Sequence, residues 1–216
     1  MPFYPESRPV PERLIADWFH LRPLTPAAAG LDYAALMESR KRLRVASLSS
    51  WPADDFTLDA NVRDLKRHHQ DHVARKAFTY TVLDPAETEC LGCLYIHPLL
   101  DHVELFADRA TVAAIVEDEA AAYFWVRTSR EGTPFERELL STLISWFQDE
   151  WRFSRVLFFT HTEDRHQEAL FRAAGLSPVL TFDGLRESVR AEYFGPTSQS
   201  AGADSTKPSE AASAQN

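Results

Sequence analysis

The stretch AAYFWVRTSREGTPFERELLSTLISWF, residues 121–147, places a strand, a glycine-containing turn and a helix in immediate succession. The run AAAYFWV is apolar throughout, which is typical of a buried strand. The segment from Pro134 to Trp151 is strongly helical in character. A strand that leads through a glycine turn into a helix N-terminus is a common way to hold a phosphate group. In this turn, however, carboxylates stand where a phosphate would require cations.

The bulk composition predicts a globular protein. The chain has 216 residues, of which 44% are hydrophobic and 25% charged, so we expect one domain with a packed core. No apolar run approaches the roughly 18 residues that span a bilayer, and the N-terminus MPFYPESRPVPERL lacks the apolar core of a signal peptide. We therefore expect a soluble, cytoplasmic protein with no membrane partner.

The charge balance argues against a nucleic-acid partner. The formal net charge is −9 and the isoelectric point is about 5.4. Binding a phosphate backbone requires a basic face. An acidic surface attracts cationic amines, although solubility alone also explains it.

The two cysteines, Cys90 and Cys93, form a C-x-x-C pair in ECLGCLYI. No second pair is present to complete a zinc site, and the flanking residues resemble a strand. Residues three apart on a regular strand point to opposite faces, so the two thiols are poorly placed to share a metal. We interpret them as two buried structural thiols in a reducing compartment and predict no metal site.

The chain divides by composition into three parts. The segment QSAGADSTKPSEAASAQN at the C-terminus is small, polar and poor in hydrophobic residues. We predict an N-terminal extension over residues 1–17, one domain over 18–196, and a disordered tail over 197–216.

Within the domain, strand and helix patterns alternate. Leu100 to Asp118 is the least readable part, where we predict a short strand around VELF and a helical turn. Thr57 is a suitable N-cap for a long helix. The pattern predicts a mixed α/β domain with one sheet. Strands are predicted at 18–25, 77–83, 90–99, 120–127, 154–162, 176–182 and 188–194, and helices at 27–47, 58–76, 134–151 and 163–175, with Gly30 as a point where the first helix splits or starts late.

Three segments in this order resemble the GNAT superfamily of N-acetyltransferases. FHLRPLTPAAAGLDYAAL is similar to the first strand and helix of the family, and residues 121–147 resemble its fourth strand, pyrophosphate loop and following helix. HQEALFRAAGL resembles its fourth helix, N-x-x-A-x-x-L-Y-x-x-x-G-F, with Gly175 on the family glycine and Leu176 in place of its Phe. The resemblance covers about Trp18 to Tyr193. It implies a single mixed central sheet flanked by about four helices.

The resemblance also implies a reaction. Family members transfer an acetyl or other acyl group from acyl-CoA to an amine of a small molecule or peptide by direct attack on the thioester. Their fourth strand splays from the fifth, which leaves backbone groups free for the pantetheine arm and for the developing oxyanion. The implied backbone contacts here are Trp125, Val126 and Arg127. The acceptor and a possible homodimer are left open by the sequence.

The pyrophosphate loop departs from the family pattern Q/R-x-x-G-x-G/A. Its three defining positions fall on Glu131, Pro134 and Glu136. Pro134 has no amide to donate, and two carboxylates repel a pyrophosphate. Arg127 and Arg130 could contact a phosphate directly or serve as solvated surface charges. The full set of implied cofactor contacts is Trp125, Val126, Arg127, Arg130, Glu131, Gly132, Thr133 and Asp164.

The sequence TPFE also fits a capping box. Thr133 would be the N-cap, Pro134 the first helical residue and Glu136 the third. In this motif the Thr133 hydroxyl accepts from the Glu136 amide, and the Glu136 carboxylate reaches back to the Thr133 amide. A helix capped by its own side chains has fewer free donors for a phosphate.

The sequence offers several candidates for proton transfer. Many family members use a Tyr on the fourth helix to protonate the thiolate, but the matching residue here is Phe171. Tyr123 and Tyr193 are other phenols, and nothing in the local sequence places them. Candidates for a general base are His97, Glu104 and His161, each of which also has a structural or solvated interpretation.

The run DLKRHHQDH on the long helix is a candidate metal site. Asp64, His68 and His72 recur every four residues and share one helix face. Alternatively, His69 and His72 continue the apolar stripe of that helix and pack as aromatic rings.

Three functions follow as hypotheses. The first is a GNAT-like N-acyltransferase that uses acetyl-CoA or another acyl-CoA. The second is a GNAT-fold protein without catalysis that acts as a ligand-binding or interaction module, which the altered loop and Phe171 favour. The third is a metal-dependent activity on the histidine-rich helix.

Overall fold

The computed structural model describes residues 3–104, 106–186 and 188–196, which form one eight-stranded sheet with helices on both faces. The strands are β1 (Leu14–Ile15), β2 (His20–Pro23), β3 (Phe78–Leu83), β4 (Cys90–Pro98), β5 (Glu119–Val126), β6 (Arg155–His161), β7 (Leu176–Arg186) and β8 (Val189–Pro196). The helices are α1 (Ala29–Glu38), α2 (Arg40–Ala46), α3 (Leu58–Val73), α4 (Leu99–Val103), α5 (Arg109–Ala114), α6 (Pro134–Asp149) and α7 (Arg165–Ala173).

The strand order is β1-β2-β3-β4-β5-β6-β8-β7, and one pair, β5 with β6, is parallel. This parallel pairing runs from Glu119 opposite Arg155 to Ala122 opposite Phe158 and then stops. Both strands continue beyond that point, β5 to Val126 and β6 to His161. The sheet is therefore mixed, as predicted, and it opens between two central strands.

Alternation along β5 divides the core between the two faces. Phe124 and Val126 belong to the largest apolar cluster, together with Leu139 and Leu143 of α6. Trp125 belongs to a second cluster with Leu36 of α1 and Leu43 of α2. Successive strand residues point to opposite faces, so a fully apolar strand is the expected sequence for a sheet covered on both sides.

A β-bulge interrupts the β3–β4 hairpin. Val82 pairs with Gly92 and Leu83 pairs with Cys90, so Leu91 is an extra residue on β4. The extra residue shifts the side-chain alternation by one, and Cys90 and Cys93 consequently point to the same face, in the cluster with Trp125. The prediction that the two thiols point to opposite faces is wrong, because it assumed a regular strand.

Most predicted elements are confirmed, with local differences. The β3–β4 hairpin forms, and the Thr57 hydroxyl caps α3 by accepting from the Ala60 amide at 3.2 Å. The first helical segment divides at Ser39 rather than at Gly30. Seven helices rather than about four flank the sheet in the described residues, because of this division and of the short helices α4 and α5.

The segment between Leu100 and Asp118 differs from its prediction. Where a strand was predicted around VELF, residues 99–103 form α4, Glu104 ends that helix, and Leu105 lies outside the described residues. The helical turn predicted in this segment corresponds to α5, which Asp108 caps through the Thr111 amide.

The N-terminal residues pack on the domain. Tyr4 is fully buried in the main cluster, its hydroxyl accepts from the Arg152 amide at 3.0 Å, and β1 pairs with β2. The predicted tail, residues 197–216, lies outside the described part of the chain. None of the helices in residues 3–104, 106–186 and 188–196 has the length and apolar character needed to cross a membrane.

Candidate active site

The opening between β5 and β6 exposes one edge of the β5 backbone. The Arg127 amide donates to the Leu91 carbonyl at 2.7 Å on the β4 side. Backbone groups alternate between the two edges of an antiparallel strand, so Phe124 and Val126 direct their N–H and C=O groups toward β6. Beyond Ala122 no described strand pairs with that edge. Of the three backbone contacts implied by the resemblance, Val126 therefore faces the opening, while Trp125 and Arg127 face β4.

Two cavities meet at this opening. The helix-side cavity, about 400 Å³, is lined by Asp32 of α1, by Asn61, Asp64 and His68 of α3, and by Trp51, Tyr95, His97 and Trp125. The cleft cavity, about 310 Å³, is lined by His102, Phe159, His161 and Gln167. Ala46, Ser47, Tyr123 and Phe124 line both cavities. The two spaces thus adjoin at the point where the strands part.

The helix-side cavity combines aromatic walls with polar groups on one side. Trp51, Tyr95, Tyr123 and Trp125 line it. Asp32 is buried, its Oδ2 accepts from Asn61 Nδ2 at 2.8 Å, and burial raises the pKa of its carboxyl. Such a space suits a small ligand that carries one polar or cationic group on an apolar body.

The three candidate bases lie in different places. His97 lines the helix-side cavity, and its Nε2 is 3.3 Å from the Tyr123 hydroxyl. Burial, reinforced by His102, lowers the pKa of His97 to about 3, so the ring is neutral at pH 7. Glu104 ends α4 on the exposed surface and lines neither cavity.

His161 lines the cleft cavity at the end of β6. Its Nε2 is 3.1 Å from both the Val45 and the Ala46 carbonyl oxygens. A carbonyl only accepts, so Nε2 carries the proton, and in the neutral ring Nδ1 keeps its lone pair. That Nδ1 is buried and has no hydrogen-bond partner among the described residues.

Tyr123 is the phenol that reaches the opening. It stacks on Tyr95, and burial raises the pKa of its hydroxyl, which is therefore protonated at neutral pH. Phe171, at the position of the family Tyr, is fully buried among Phe124, Phe158 and Phe194. Tyr193 is buried, and its hydroxyl donates to the His102 carbonyl.

The loop between β5 and α6 satisfies its own amides. The Thr128 amide donates to Ser39 Oγ and the Ser129 amide to Glu38 Oε1. Each of the next four amides also has an acceptor within the protein, which is the Arg127, Thr128 or Arg130 carbonyl or, for Gly132, the Glu136 carboxylate. No amide from Thr128 to Thr133 is left for a phosphate.

The capping box predicted at Thr133 does not form. The Thr133 hydroxyl donates to the Arg130 carbonyl at 2.7 Å, so it does not accept from the helix. The buried Glu136 carboxylate accepts from Gly132 at 2.9 Å, one residue before the predicted partner. Gly132 has a φ of +69°, which turns its amide toward the helix and is a conformation that favours glycine. The Glu136 carboxylate thus lies at the helix N-terminus where the resemblance implies a pyrophosphate.

An ion network closes the space beside this loop. Arg42 of α2 pairs through Nε with Glu131 at 2.6 Å and through Nη1 with Asp164 at 2.8 Å. His166 pairs with Glu136 at 2.7 Å. Asp164 also caps α7 by accepting from the Gln167 amide at 3.1 Å. Both Glu131 and Asp164, implied as cofactor contacts, are engaged with a cation of the protein.

The two arginines of the loop are likewise paired. Arg127 is buried, its Nε is 3.0 Å from Glu38, and its Nη1 contacts Glu89. Arg130 is half-exposed, and its Nη2 lies 3.6 Å from Glu89. Arg130 is thus the loop cation with the weaker partner and the more accessible side chain.

The histidines of α3 make contacts with the sheet below them. His68 Nδ1 is 3.2 Å from the Thr79 hydroxyl, and His72 packs edge-on against Phe78 and Tyr80. Among the described residues, the atoms of three potential ligands converge only at Asp32, Cys90 and Cys93. In the described residues Asp64, His68 and His72 do not form such a group, and His72 packs as an aromatic ring, which agrees with the alternative interpretation.

Sequence reasoning missed Arg42 and His166, and it left Tyr123 unplaced. Arg42 lies in the basic run RKRLR, so a charge count on α2 gave a signal. The partners of Arg42 are 89 and 122 positions away in the sequence, and no local pattern identifies them.

The mixed sheet separates between β5 and β6, and the loop after β5 leads into the helix α6. This arrangement defines the GNAT fold. Solved structures of acetyltransferases share it. RimL, a ribosomal L7/L12 alpha-N-protein acetyltransferase in complex with coenzyme A, superimposes with a TM-score of 0.64 at 12% identity over 85% of this chain and 96% of that one.

Two other structures agree with this assignment of the fold. The microcin C7 self-immunity acetyltransferase MccE, in complex with acetyl-CoA and AMP, gives a TM-score of 0.62 at 14% identity over 83% of this chain and 92% of that one. The ribosomal-protein-S5-alanine acetyltransferase from Vibrio fischeri gives 0.60 at 13% identity over 87% and 97%. No family model matches the sequence, and no curated protein matches it. The chain has the GNAT fold.

Proposed function

We propose that the protein is an N-acyltransferase that transfers an acyl group from acyl-CoA to an amine of a small molecule or peptide. The observation that carries the proposal is the parting of β5 and β6 after Ala122, with two cavities adjoining there. The structures of similar fold that hold coenzyme A or acetyl-CoA support the choice of donor.

The donor side is the cleft cavity. The Phe124 and Val126 backbone groups that face β6 can pair with the amides of a pantetheine arm. An N–H from the same edge can stabilise the oxyanion that forms on the thioester carbonyl. These contacts need no particular side chain, which fits a strand composed of apolar residues.

The acceptor side is the helix-side cavity. Its aromatic walls favour an apolar body, and Asp32 and Asp64 favour a cationic amine. The similar structures that act on ribosomal proteins make a peptide amine one option. The volume of about 400 Å³ admits a small amine or one residue of a peptide.

The reaction moves one proton from the amine to the thiolate. The amine nitrogen attacks the thioester carbon, the C–N bond forms, and the C–S bond breaks to release the CoA thiolate. His97 is the one candidate base that lines the acceptor cavity, and its Nε2 lies 3.3 Å from the Tyr123 hydroxyl. Its pKa of about 3 makes it too weak to deprotonate a free ammonium, so the amine must attack in its neutral form, and we assign His97 the proton that the nitrogen releases once the C–N bond has formed. The Tyr123 hydroxyl, which lines both cavities, then protonates the thiolate.

The donor is held by its arm rather than by its pyrophosphate. The amides of residues 128–133 are engaged, and Glu136 brings negative charge to the helix N-terminus. Arg130 remains as a half-exposed cation beside the loop. We therefore expect weaker acetyl-CoA binding than a loop with free amides would give.

The experiment is an assay of thiol release from acetyl-CoA against a panel of amines and N-terminal peptides. Tyr123→Phe removes the proton donor and keeps the ring, so kcat should fall about 100-fold. Tyr193→Phe is the matched control, because it deletes a buried hydroxyl that lines neither cavity. Equal rates for the two variants would remove Tyr123 from the mechanism.

A second candidate is a GNAT-fold module that binds a ligand without acyl transfer. The loop with its engaged amides favours it. A thermal-shift titration separates the two functions. A saturable shift with amines and none with acetyl-CoA at millimolar concentration would support the module, since a ligand at about 100 times its Kd stabilises by about 2.7 kcal/mol.

A further inference from the structure

Three acidic side chains converge in the interior beside the helix-side cavity. The Sγ atoms of Cys90 and Cys93 and a carboxylate oxygen of Asp32 all lie within 4.8 Å of one another. Their residues are 1%, 0% and 3% exposed. The bulge at Leu91 creates this convergence, because it turns Cys90 to the face that carries Cys93.

The spacing fits a metal ion. Zn²⁺ binds thiolate sulfur at about 2.3 Å and carboxylate oxygen at about 2.0–2.2 Å in tetrahedral sites, so its ligand atoms lie about 3.5–3.8 Å apart. Cys93 Sγ is 3.2 Å from Asp32 Oδ1. The other two edges of the triangle are at most 4.8 Å long, so they differ from the tetrahedral spacing by about 1 Å or less.

The ligand atoms are supported by hydrogen bonds from a second layer. The Thr81 hydroxyl donates to Cys90 Sγ at 3.5 Å. Asn61 Nδ2 donates to Asp32 Oδ2 at 2.8 Å, which leaves Oδ1 for a metal, and Asn61 is itself buried and held by the Ala29 carbonyl. Metal ligands in proteins are generally oriented by partners of this kind.

In this structure the cluster is held together by protons: the Cys93 thiol donates to Asp32 Oδ1 at 3.2 Å and the Cys90 thiol donates to the Gly92 carbonyl at 3.4 Å. A metal ion would displace these protons. Cysteine and aspartate ligands are anionic when they bind metal, and buried charges in proteins are paired or coordinate metals. In the described residues, no Lys, Arg or His side chain forms a hydrogen bond or ion pair with any of the three. A divalent cation would neutralise two of the three negative charges.

We propose that Cys90, Cys93 and Asp32 bind a thiol-preferring divalent cation, with Zn²⁺ as the first choice. Thiolate ligands select such metals over Mg²⁺ and Ca²⁺. No fourth protein ligand joins the cluster in the described residues, and Asp32 lines the helix-side cavity. The fourth position therefore takes water or a ligand from that cavity. The site shares Asp32 with the proposed acceptor cavity, but metal binding by the three residues does not require acyl transfer.

A disulfide between the same thiols fits less well. Their β3 partners, Leu83 and Thr81, are two residues apart, so the two Cα atoms are about 6.6 Å apart along the strand. That is the upper end of the range of about 4.4–6.8 Å seen in disulfides. A metal ion holds two sulfurs apart, whereas a disulfide requires them at about 2.05 Å.

The test is a titration of metal-free, reduced full-length protein with Co²⁺. We expect one equivalent to bind, with thiolate-to-cobalt charge-transfer absorption and the d–d bands of a tetrahedral ion, and one equivalent of Zn²⁺ to displace it. Cys90→Ser and Cys93→Ser should each lower the affinity at least about 100-fold. Thr81→Val removes one second-layer bond and should lower it about 10-fold.

His69→Ala is the control, because it removes an imidazole of the histidine-rich helix that is not among the three proposed ligands, and it should leave the spectrum unchanged. Circular dichroism checks the fold of each variant, and the wild-type spectrum is decisive even where a variant unfolds. A wild-type spectrum without charge-transfer absorption would overturn the proposal. So would an unchanged spectrum in the double serine variant, or mass spectrometry that finds the two thiols oxidised to a disulfide in the purified protein.

Discussion

The cleft between β5 and β6 and the loop over residues 127–133 join end to end, yet their backbone groups differ in availability. In the cleft, Phe124 and Val126 face an edge that no described strand covers beyond Ala122. In the loop, every amide from Thr128 to Thr133 already has an acceptor. One half of the proposed donor surface is open, and in the other half the amides are engaged within the protein.

The difference has a physical origin. The opening of a sheet depends on where strand pairing stops, so it survives large changes of sequence. A phosphate loop depends on amides that remain free, and a single carboxylate such as Glu136 can occupy them. We therefore propose that fold and cofactor binding are separable in this protein, and each of the following predictions tests one of the two.

Substitution of Gly92 should disrupt the pairing of β4 with β5, the strand that lines the cleft. A Cβ at Gly92 would lie 2.1 Å from the Trp125 carbonyl oxygen, so the backbone of β4 or β5 must move. We expect Gly92→Ala to lower the free energy of unfolding by about 3 kcal/mol or more. Urea unfolding measures it. In the control Gly30→Ala, nothing lies within 4 Å of the added methyl, and a stabilisation of about 0.5–1 kcal/mol is expected. Similar values for both variants would contradict the close approach.

Removal of Arg42 should disrupt the ion network beside the loop. The guanidinium neutralises Glu131 and the buried Asp164, so Arg42→Ala leaves two carboxylates without their cation. The expected loss is about 2–3 kcal/mol of unfolding free energy. Arg40→Ala is the control on the same helix, because Arg40 pairs at 3.4 Å with the exposed Asp54 and should change stability little. Equal effects would show that the network does not hold the loop.

The buried histidines predict acid sensitivity on the open side. Burial lowers the pKa of His102 to about 4, below the value of about 6.5 in an unfolded chain. The unfolded state therefore binds more protons, so the stabilisation is complete above pH 6.5 and is lost as the pH falls toward 4. His102 should account for about 2 kcal/mol between pH 7 and pH 5. Urea unfolding of His102→Phe should show a shallower pH dependence by that amount, and an unchanged slope would refute it.

Neutralising Glu136 should partly open the loop. Glu136→Gln removes a negative charge from the N-terminus of α6 and weakens its bond to the Gly132 amide. Acetyl-CoA affinity should rise about 10-fold, which is about 1.4 kcal/mol. Calorimetry measures this, with Glu138→Gln as an exposed control on the same helix. Unchanged affinity would mean that Glu136 is not the barrier.

Local patterns were sufficient for most of the fold. The cap at Thr57, the apolar run of β5 and the turn between β3 and β4 each follow from a few neighbouring residues, and the structure confirms them. The GNAT order followed from their succession.

The features that sequence did not reveal depend on distant contacts or on a shift of one residue. Leu91 adds one residue to β4 and reverses the expected faces of the two cysteines. Glu136 reaches the Gly132 amide instead of that of Thr133. Arg42 meets its partners only because α2 packs beside the loop. Residue types alone do not specify such arrangements.

The most direct measurement compares acetyl-CoA with S-acetyl-pantetheine, which lacks the pyrophosphate and nucleotide, by calorimetry on the wild-type protein. If the cleft binds the arm and the loop is closed, the two dissociation constants should agree within about threefold, a difference of less than 1 kcal/mol. If acetyl-CoA instead binds about 100-fold more tightly than S-acetyl-pantetheine, the pyrophosphate and nucleotide contribute about 2.7 kcal/mol to binding. That result would contradict the proposal that the engaged loop amides do not bind the pyrophosphate.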